Sequence, residues 1–348
     1  MGRDRPLVAL TLGDVTGVGP ETVVRAIAND SSPRPGQPDT PFRPLVIGHP
    51  RVVERAIRLI GWRLTVREVS SPGAASGESG SIDCWNPSDA DVGNLPPARI
   101  DARAGRAASD WLVAATRAAL AGEIDAIVTA PLNKYALHQA GIAEPGHTEI
   151  LARECGVREY AMMLYLPPGP PLAAGHALSV AHVTLHTSIA SVPALLTEPR
   201  IGETIALMDR FLRRISPSRR RIGVCALNPH AGEEGLFGDE ERRVIAPAVD
   251  AARRSGLEAS GPFAADTLLK RAVEGEFDGV VAMYHDQGHI ALKLIGFHRA
   301  VNVTLGLPII RTSPSQGTAF DIAWQGKADP AGMRAAIETA LRLIETRH

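Results

Sequence analysis

The sequence has few cysteines, almost no net charge and no long apolar run, and each shortage excludes a class of protein. Cys84, Cys155 and Cys225 are its only cysteines and lack Cys-x-x-Cys spacing, so neither a disulfide framework nor a thiolate zinc site is indicated. A formal net charge of −1 provides no basic field for a nucleic-acid backbone or an anionic membrane. No stretch approaches the roughly 20 apolar residues of a membrane span, and no apolar leader precedes the first strand. We therefore expect a cytoplasmic protein that binds neither nucleic acid nor membrane.

Short β-rich runs alternate with longer amphipathic stretches, which is typical of an α/β fold with helices on both faces of a parallel or mixed sheet. The clearest strand predictions are residues 8–12, 45–47, 126–129, 161–166, 178–183, 222–227, 280–283 and 301–305. Apolar residues at three- and four-residue intervals predict helices over residues 104–121, 200–214, 240–254 and 331–345. Two stretches rich in glycine, serine and proline, 30–44 and 70–97, are predicted to be surface loops.

Three histidines, His182, His230 and His285, each lie at or just after a predicted buried strand. Because strand ends meet at one edge of a parallel sheet, the three rings could converge and leave a coordination position open to substrate. A single histidine after a strand is more often a hydrogen-bonded structural residue. The pattern therefore gives a hypothesis of a metal site, not a signature of one.

Other motifs suit an anion. Residues 13–21 follow a strand and open a helix, so this glycine-rich turn could contact a ligand or only reverse the chain. His147 and Thr148 stand at the start of a helix, where free amides attract a carboxylate or phosphate, although Thr148 could equally be a cap. Lys293, Asn302 and Arg311 offer a charge, an amide and a planar fork for oxyanions beside later strand ends.

Taken together, these motifs resemble the 4-hydroxythreonine-4-phosphate dehydrogenase family across nearly the whole chain. The matching segments are 13–14, 17–21, 129–134, 146–149, 228–233, 265–267, 284–288, 301–308 and 311–312. The resemblance implies a homodimer of two-domain subunits, similar in fold to isocitrate and isopropylmalate dehydrogenases, with an active-site cleft between the domains and at the dimer interface. The implied first α/β/α domain comprises residues 1–128 and 306–348, and the second, carrying the metal ligands and the dimer interface, residues 129–305.

The resemblance also implies cofactors and site residues. NAD or NADP would accept the hydride, and Zn²⁺, with Mg²⁺, Co²⁺ or Mn²⁺ as alternatives, would be held by His182, His230 and His285, with ligands shared between subunits. The residues implied to contact a small phosphorylated substrate are His147, Thr148, Lys293, Asn302 and Arg311. The cofactor residues are expected at Gly317, Thr318 and Asp321.

The substrate stays open among members of this family. We expect 4-hydroxythreonine 4-phosphate or a D-threonate or D-erythronate 4-phosphate, and the segments 232–239, 288–293 and 319–324 look closer to the sugar-acid branch. A terephthalate cis-dihydrodiol is an alternative. The chain departs from the family pattern at Val15-Thr16 and at Gln316, where a histidine is usual, which leaves cofactor affinity and the choice between NAD and NADP open.

The expected reaction is oxidation of a secondary alcohol, followed by decarboxylation if the product is a β-keto acid. A metal on the hydroxyl oxygen would lower its pKa and stabilise negative charge. Lys293, Asp266 and His147 are the candidate proton-transfer residues, and the sequence does not rank them. Phosphate acyltransferases share the broad architecture, so such an enzyme, or a non-catalytic anion-binding protein, is the alternative.

Overall fold

The computed structural model describes residues 5–27 and 40–346. The chain forms two compact units, the first from Met1–Arg158 and Leu307–Glu345 and the second chiefly from Glu159–Gly306. The chain thus first crosses between units after Arg158, later than the expected crossing after residue 128, and returns at Gly306, beside the expected 305/306.

The elements run in chain order through the first unit, the second unit and back to the first. The first unit opens with β1 (Leu7–Thr11), α1 (Gly19–Ile27), β2 (Arg43–Ile47), α2 (Pro50–Ile60), β3 (Thr65–Glu68), β4 (Ser81–Trp85), α3 (Ala102–Leu120), β5 (Ala126–Thr129), α4 (Lys134–Gln139) and α5 (His147–Cys155). The second unit contains β6 (Ala161–Leu166), β7 (Leu178–His182), α6 (Val192–Leu195), α7 (Glu198–Ile215), β8 (Ile222–Cys225), α8 (Ala246–Arg254), β9 (Ala259–Phe263), α9 (Ala265–Val273), β10 (Gly279–Ala282), α10 (His285–Gly296) and β11 (Val301–Leu305). The first unit ends with β12 (Arg311–Pro314) and α11 (Ala331–Glu345).

The first unit has a parallel sheet in the order β3-β4-β2-β1-β5-β12. Its central strand β1 reads Leu-Val-Ala-Leu-Thr and is buried at every position. A continuous apolar run of this kind is expected where helices cover both faces of a parallel sheet. On α3, Trp111 is fully buried and donates its indole N–H to the Asn86 side chain at 2.9 Å, which satisfies the one polar atom of that ring.

The second unit has a mixed sheet in the order β11-β6-β7-β10-β8-β9. Strand β6 is antiparallel to both β11 and β7, while β7, β10, β8 and β9 pair in parallel. Helices α9 and α10 pack on this sheet through a buried apolar cluster that includes Val180, Leu268, Phe277 and Leu292. The parallel strands direct their carboxyl ends to one edge, where polar side chains collect.

Each predicted strand and helix is present, with bounds that differ by one or two residues at most of the ends, and the α/β fold is confirmed. The predicted helix 240–254 begins instead with a π-helical turn, Glu241–Ile245, that leads into α8. Most of the loop predicted over residues 30–44 lies outside the described residues, and β2 begins at Arg43.

The loop predicted over residues 70–97 is wrong in part, because β4 runs through it between β2 and β3. The strand was not predicted because this stretch is rich in polar residues. Asp83 is buried, and its carboxylate accepts hydrogen bonds from the Arg67 side chain at 2.6 Å and from the backbone of Ser76 and Gly77 at 2.8 and 2.9 Å. A charged residue satisfied in this way can occupy a buried strand.

None of the helices within residues 5–27 and 40–346 is both long enough and apolar enough to cross a membrane.

Candidate active site

His182 ends strand β7 and is 0% exposed. Strand β10 pairs with β7 in parallel, with Ala282 opposite His182, so the chain leaving β10 enters α10 beside this ring. The His182 Nδ1 lies 3.2 Å from the Met162 carbonyl oxygen on strand β6. A carbonyl only accepts, so Nδ1 carries the proton and a neutral ring keeps a lone pair on Nε2.

His285 is the first residue of α10, and its ring centroid lies 6.2 Å from that of His182. Its Nδ1 lies 2.6 Å from the Asp286 carboxylate, which accepts a hydrogen bond from the Nδ1–H, so the neutral tautomer has its lone pair on Nε2. Both rings thus have Nδ1 fixed by an oxygen, which leaves Nε2 as the nitrogen that could coordinate a cation. This is the arrangement by which outer oxygen acceptors orient metal-ligating histidines, and the donor set fits a borderline metal ion.

Burial keeps the rings of His182 and His289 neutral. Loss of hydration lowers the pKa of His182 to about 4, against a weaker opposing effect of its bond to the Met162 backbone. Burial also lowers the pKa of His289 to about 2, and the neighbouring His182 and His285 add to the shift. Neutral imidazoles present lone pairs at neutral pH, as a cation requires.

His289 was not singled out by the sequence reasoning, although the structure brings it into the same cluster. It lies one turn after His285 on α10, is 4% exposed, and stacks on His285 with centroids 3.7 Å apart and planes 13° apart. Its Nδ1 lies 3.1 Å from the Nε2 of His182. The four-residue spacing of His285, His289 and Lys293 places all three on one helix face, and this spacing was the signal that could have revealed the cluster.

His230, the third proposed ligand, does not join the other two within the described chain. It is exposed in the loop after β8 and contacts Phe237 with ring centroids 6.4 Å apart. Residues 230–234 all have positive φ, a left-handed turn that is costly for residues other than glycine. In the part of one chain that the structure describes, no group of three or more histidine, cysteine, aspartate or glutamate side chains is arranged to hold a metal ion.

The other predicted residues of the second unit differ in environment. Lys293 is half-buried on α10, with Nζ 5.9 Å from the Phe297 ring centre. Asn302, on β11, has its amide oxygen buried without a hydrogen-bond partner among the described residues, which is a position that a ligand could satisfy. Asp266 is exposed at the start of α9, where its carboxylate accepts from the backbone N–H of Thr267 at 2.8 Å.

The first unit holds a cationic cluster. Arg311 begins β12 and is 2% exposed, and its guanidinium donates to the Thr129 hydroxyl at the end of β5 at 2.6 Å. Burial lowers its pKa to about 10, so it stays charged at neutral pH. His147, half-buried at the start of α5, has its pKa held well below the usual range by burial and by the charges of Arg311 and Lys134.

Thr148 follows His147 as the second residue of α5 and is half-buried. The N-cap position of this helix is Gly146, so Thr148 lies inside the helix and does not act as the cap. Arg311, His147 and Thr148 thus share one unit, and the fixed positive charge of the cluster suits an anionic group.

The glycine-rich turn in the first unit packs against the segment that holds the predicted cofactor residues. Gly13 has φ +62°, and a Cβ there would meet the Pro131 carbonyl oxygen at 2.2 Å, so only glycine fits. The backbone N–H of Val18 donates to the Thr318 carbonyl at 3.0 Å. Gly317 and Asp321 are exposed beside it.

Two buried carboxyl groups lie in this turn and the helix after it. Asp14 accepts from the backbone N–H and hydroxyl of Thr16 at 2.9 and 2.7 Å, while its second oxygen has no partner among the described residues. Thr16 is one of the two departures from the family pattern. Glu21 accepts from the backbone N–H of Trp324 at 2.9 Å, and burial raises the pKa of both Asp14 and Glu21.

Comparison with known proteins defines the class of this enzyme. The chain is 41% identical over 97% of its length to D-threonate 4-phosphate dehydrogenase from Pectobacterium atrosepticum, covering 99% of that protein. It is 43% identical over 97% of its length to 4-hydroxythreonine-4-phosphate dehydrogenase from Desulfosudis oleivorans, covering 96% of that protein. A crystal structure of 4-hydroxythreonine-4-phosphate dehydrogenase from Klebsiella pneumoniae superposes with a TM-score of 0.83 at 44% identity, covering 97% of this chain and 99% of that one. The protein is therefore an oxidoreductase of the NAD(P)-linked dehydrogenase class.

The family model described as "Pyridoxal phosphate biosynthetic protein PdxA" matches residues 41–340. The chain belongs to this family, which confirms the resemblance drawn from its motifs.

Proposed function

We propose that the protein catalyses metal-dependent oxidation, with decarboxylation, of a 4-phosphorylated hydroxy acid, using NAD or NADP. The substrate class is 4-hydroxythreonine 4-phosphate or D-threonate or D-erythronate 4-phosphate, because relatives of both names are similar to this chain at nearly equal identity. The single observation that carries the proposal is the pair of adjacent rings, His182 and His285, in which each Nδ1 faces an oxygen, so that Nε2 is the nitrogen of each ring that could coordinate a cation.

His182 and His285 would hold the metal from one subunit, and His230, exposed on its loop, is free to contribute to a site shared with a second subunit. A divalent cation bound there would lower the pKa of a coordinated hydroxyl and stabilise negative charge on its oxygen. Zinc suits imidazole ligands, and the other divalent ions named above are alternatives.

Lys293 is our choice for the proton-transfer residue. It lies on the same face of α10 as His285 and His289, and its charge contributes to the lowered pKa of His289, so its ammonium group is near the cluster. Asp266 is exposed and bonded to its own helix start, which suits an outer position. In oxidation the hydroxyl proton leaves to a base and the hydride passes to nicotinamide; in decarboxylation the C–C bond breaks, CO₂ leaves and the carbanionic carbon takes up a proton.

Binding of the substrate's anionic groups is assigned to Arg311, His147 and Thr148 in the first unit and to Asn302 in the second. Arg311 offers a fixed charge and a planar fork. Neutral His147 can donate or accept without adding charge. The unpartnered amide oxygen of Asn302 can accept a hydrogen bond from a substrate hydroxyl. Residues Gly317, Thr318 and Asp321 are proposed to border the cofactor.

The enzyme is proposed to act as a homodimer. Helix α10 exposes Ile290 and Leu294 at 58% and 81%, and Phe297 follows at 51%. An apolar stripe on the helix that begins with His285 suits burial by a second copy of the chain. The variant Leu294→Lys is expected to sediment as a monomer while Leu120→Lys, changed at an exposed leucine of the first unit, sediments like wild type; an unchanged Leu294→Lys assembly would contradict the stripe as an interface.

A substrate panel tests the proposed reaction. Chelator-treated protein would be assayed with NAD and with NADP, with and without Zn²⁺, on 4-hydroxythreonine 4-phosphate, D-threonate and D-erythronate 4-phosphates and a terephthalate cis-dihydrodiol. We expect reduced nicotinamide and CO₂ in equal amounts from one of the phosphorylated acids, only with metal. Turnover of the dihydrodiol alone, or full activity without metal, would refute the proposal.

A further inference from the structure

The contact between His289 and His182 occupies the atom that a metal ion needs. The Nε2 of His182 is the nitrogen that faces the cluster, since Nδ1 is turned toward the Met162 carbonyl. The Nδ1 of His289 lies 3.1 Å from that same Nε2, which is hydrogen-bonding distance for two ring nitrogens. Only one of the two can be the donor.

The direction of this bond follows from the protons of the two rings. Both are buried, and charge is unfavourable there, so each ring carries one N–H. The proton of His182 is on Nδ1, because the Met162 carbonyl can only accept. His289 must then donate its Nδ1–H to Nε2 of His182, and this takes up the one lone pair through which His182 could bind a cation.

His289 is held in this position by packing. Its ring stacks on His285 at a centroid distance of 3.7 Å with planes 13° apart. Lone pairs lie in the ring planes, so two stacked, nearly parallel rings do not direct nitrogens to a common point. His289 is therefore not a second ligand next to His285 in this arrangement.

Gly288 keeps the contact possible. A Cβ at this position would lie 2.5 Å from Nε2 of His182 and 2.7 Å from Val180 Cγ1. The absence of a side chain thus leaves the space around the nitrogen to the His289 ring or to a cation.

We propose that His289 is a positioning residue that sets the cation affinity of the site, because its Nδ1–H competes with the cation for the Nε2 lone pair of His182. The inference rests on the proposed metal site. Cation binding must break this hydrogen bond and turn the His289 ring away, so the free protein binds its metal more weakly than two bare histidines would.

Cation titration of the full-length, chelator-treated protein tests the proposal without any substrate or nicotinamide. Co²⁺ binding is followed by visible absorption and Zn²⁺ binding by competition with a chelating dye. In His289→Leu, which has no donor, we expect binding about five-fold tighter or more, as loss of one competing hydrogen bond implies. His289→Gln keeps an N–H donor and is expected to bind within about two-fold of wild type.

The control is His138→Leu, an exposed histidine of the first unit, expected to leave the affinity within about two-fold. Equal binding by His289→Leu would overturn the inference, while binding by the wild type would still support the metal site. Weaker binding by His289→Leu would also overturn it, because His289 would then be a ligand. If wild type binds no cation, the proposed metal site fails and the inference fails with it.

Nitrogen NMR of histidine-labelled wild type gives a test that does not depend on folding of a variant. We expect the Nδ1 of His182 and of His289 to be protonated and both Nε2 atoms to be unprotonated without cation. On Zn²⁺ addition the His289 Nδ1 and His182 Nε2 signals should shift together. An unprotonated His289 Nδ1 in the cation-free protein would overturn the inference.

Discussion

The two units place polar side chains at similar points of their sheets but give them opposite electrical character. In the first unit, Thr129 ends β5 and supports Arg311, whose charge persists at neutral pH despite burial. In the second, His182 ends β7 among rings that burial keeps neutral. One cluster carries a fixed positive charge and is our proposed anion site, and the other consists of neutral rings and is our proposed cation site. The two proposals together would mean that strand ends of one fold type are adapted to ligands of opposite charge.

The largest effect is expected where the fixed charge is removed. Arg311→Met should lower kcat/KM on a phosphorylated substrate by about a hundred-fold or more, because one or two charge-assisted hydrogen bonds are lost. Most of the change should fall on KM if the guanidinium binds ground and transition states alike. Steady-state kinetics measure it.

The control for that change is Arg51→Met, an exposed arginine on α2 of the same unit, which should leave kinetics unchanged. Cation affinity, measured by Co²⁺ titration, should be the same in both variants, because neither arginine is among the proposed metal ligands. Wild-type kinetics of the Arg311→Met enzyme would contradict the assignment of Arg311 to anion binding.

A change at Gly288 tests the other cluster. Alanine is usually favoured over glycine inside a helix by about 1 kcal/mol, but the close approach to His182 and Val180 should reverse that gain. We expect Gly288→Ala to lose about 1–3 kcal/mol in the free energy of unfolding and to bind Co²⁺ about ten- to a hundred-fold more weakly. Urea unfolding and metal titration measure the two effects.

Gly202→Ala on α7 is the matched control, since a Cβ there meets nothing within 4 Å. It should raise the free energy of unfolding by about 0.5–1 kcal/mol. If both variants are stabilised equally, the side chain of His182 is not confined as the structure indicates.

Part of the fold and part of the two clusters could be predicted from the sequence alone. Strands such as β1 and β6 were predictable because continuous apolar runs signal buried parallel or central strands. Strand β4 was not predictable, because a polar residue such as Asp83 does not indicate a buried strand. Asp83 can be buried because it pairs with Arg67, which is distant along the chain. Residue propensities along the sequence do not include such a tertiary ion pair.

For the site, strand ends pointed to His182 and His285, whose ring centroids lie 6.2 Å apart. His230 was grouped with them on the same evidence, yet its loop turns left-handed over residues 230–234, and the described chain does not bring it to the other rings. His289 was overlooked because it lies within a helix, where a histidine carries no strand-end signal. The hydrogen-bond direction between His289 and His182 depends on the Met162 carbonyl, a contact across strands that no sequence pattern contains.

The smallest expected effect is a pH dependence of stability that belongs to the neutral cluster. Folding lowers the pKa of His182 from its ordinary 6.5 to about 4, so the unfolded chain binds more protons between these values. Stability is therefore retained above pH 6.5 and lost as pH falls toward 4. With a chelator present, this one group should cost about 1 kcal/mol of the free energy of unfolding between pH 7 and 5.5.

Urea unfolding at both pH values, compared between wild type and His182→Gln, isolates the contribution, and His138→Gln, changed at an exposed histidine of the first unit, serves as control. The His182→Gln difference should be smaller than that of wild type, with His289 supplying part of what remains. If the free energy of unfolding changes equally with pH in wild type and in His182→Gln, then His182 is hydrated enough to accept a proton. Its ring would then be charged in mild acid and repel a cation, and the contrast with the permanently charged Arg311 cluster would be lost.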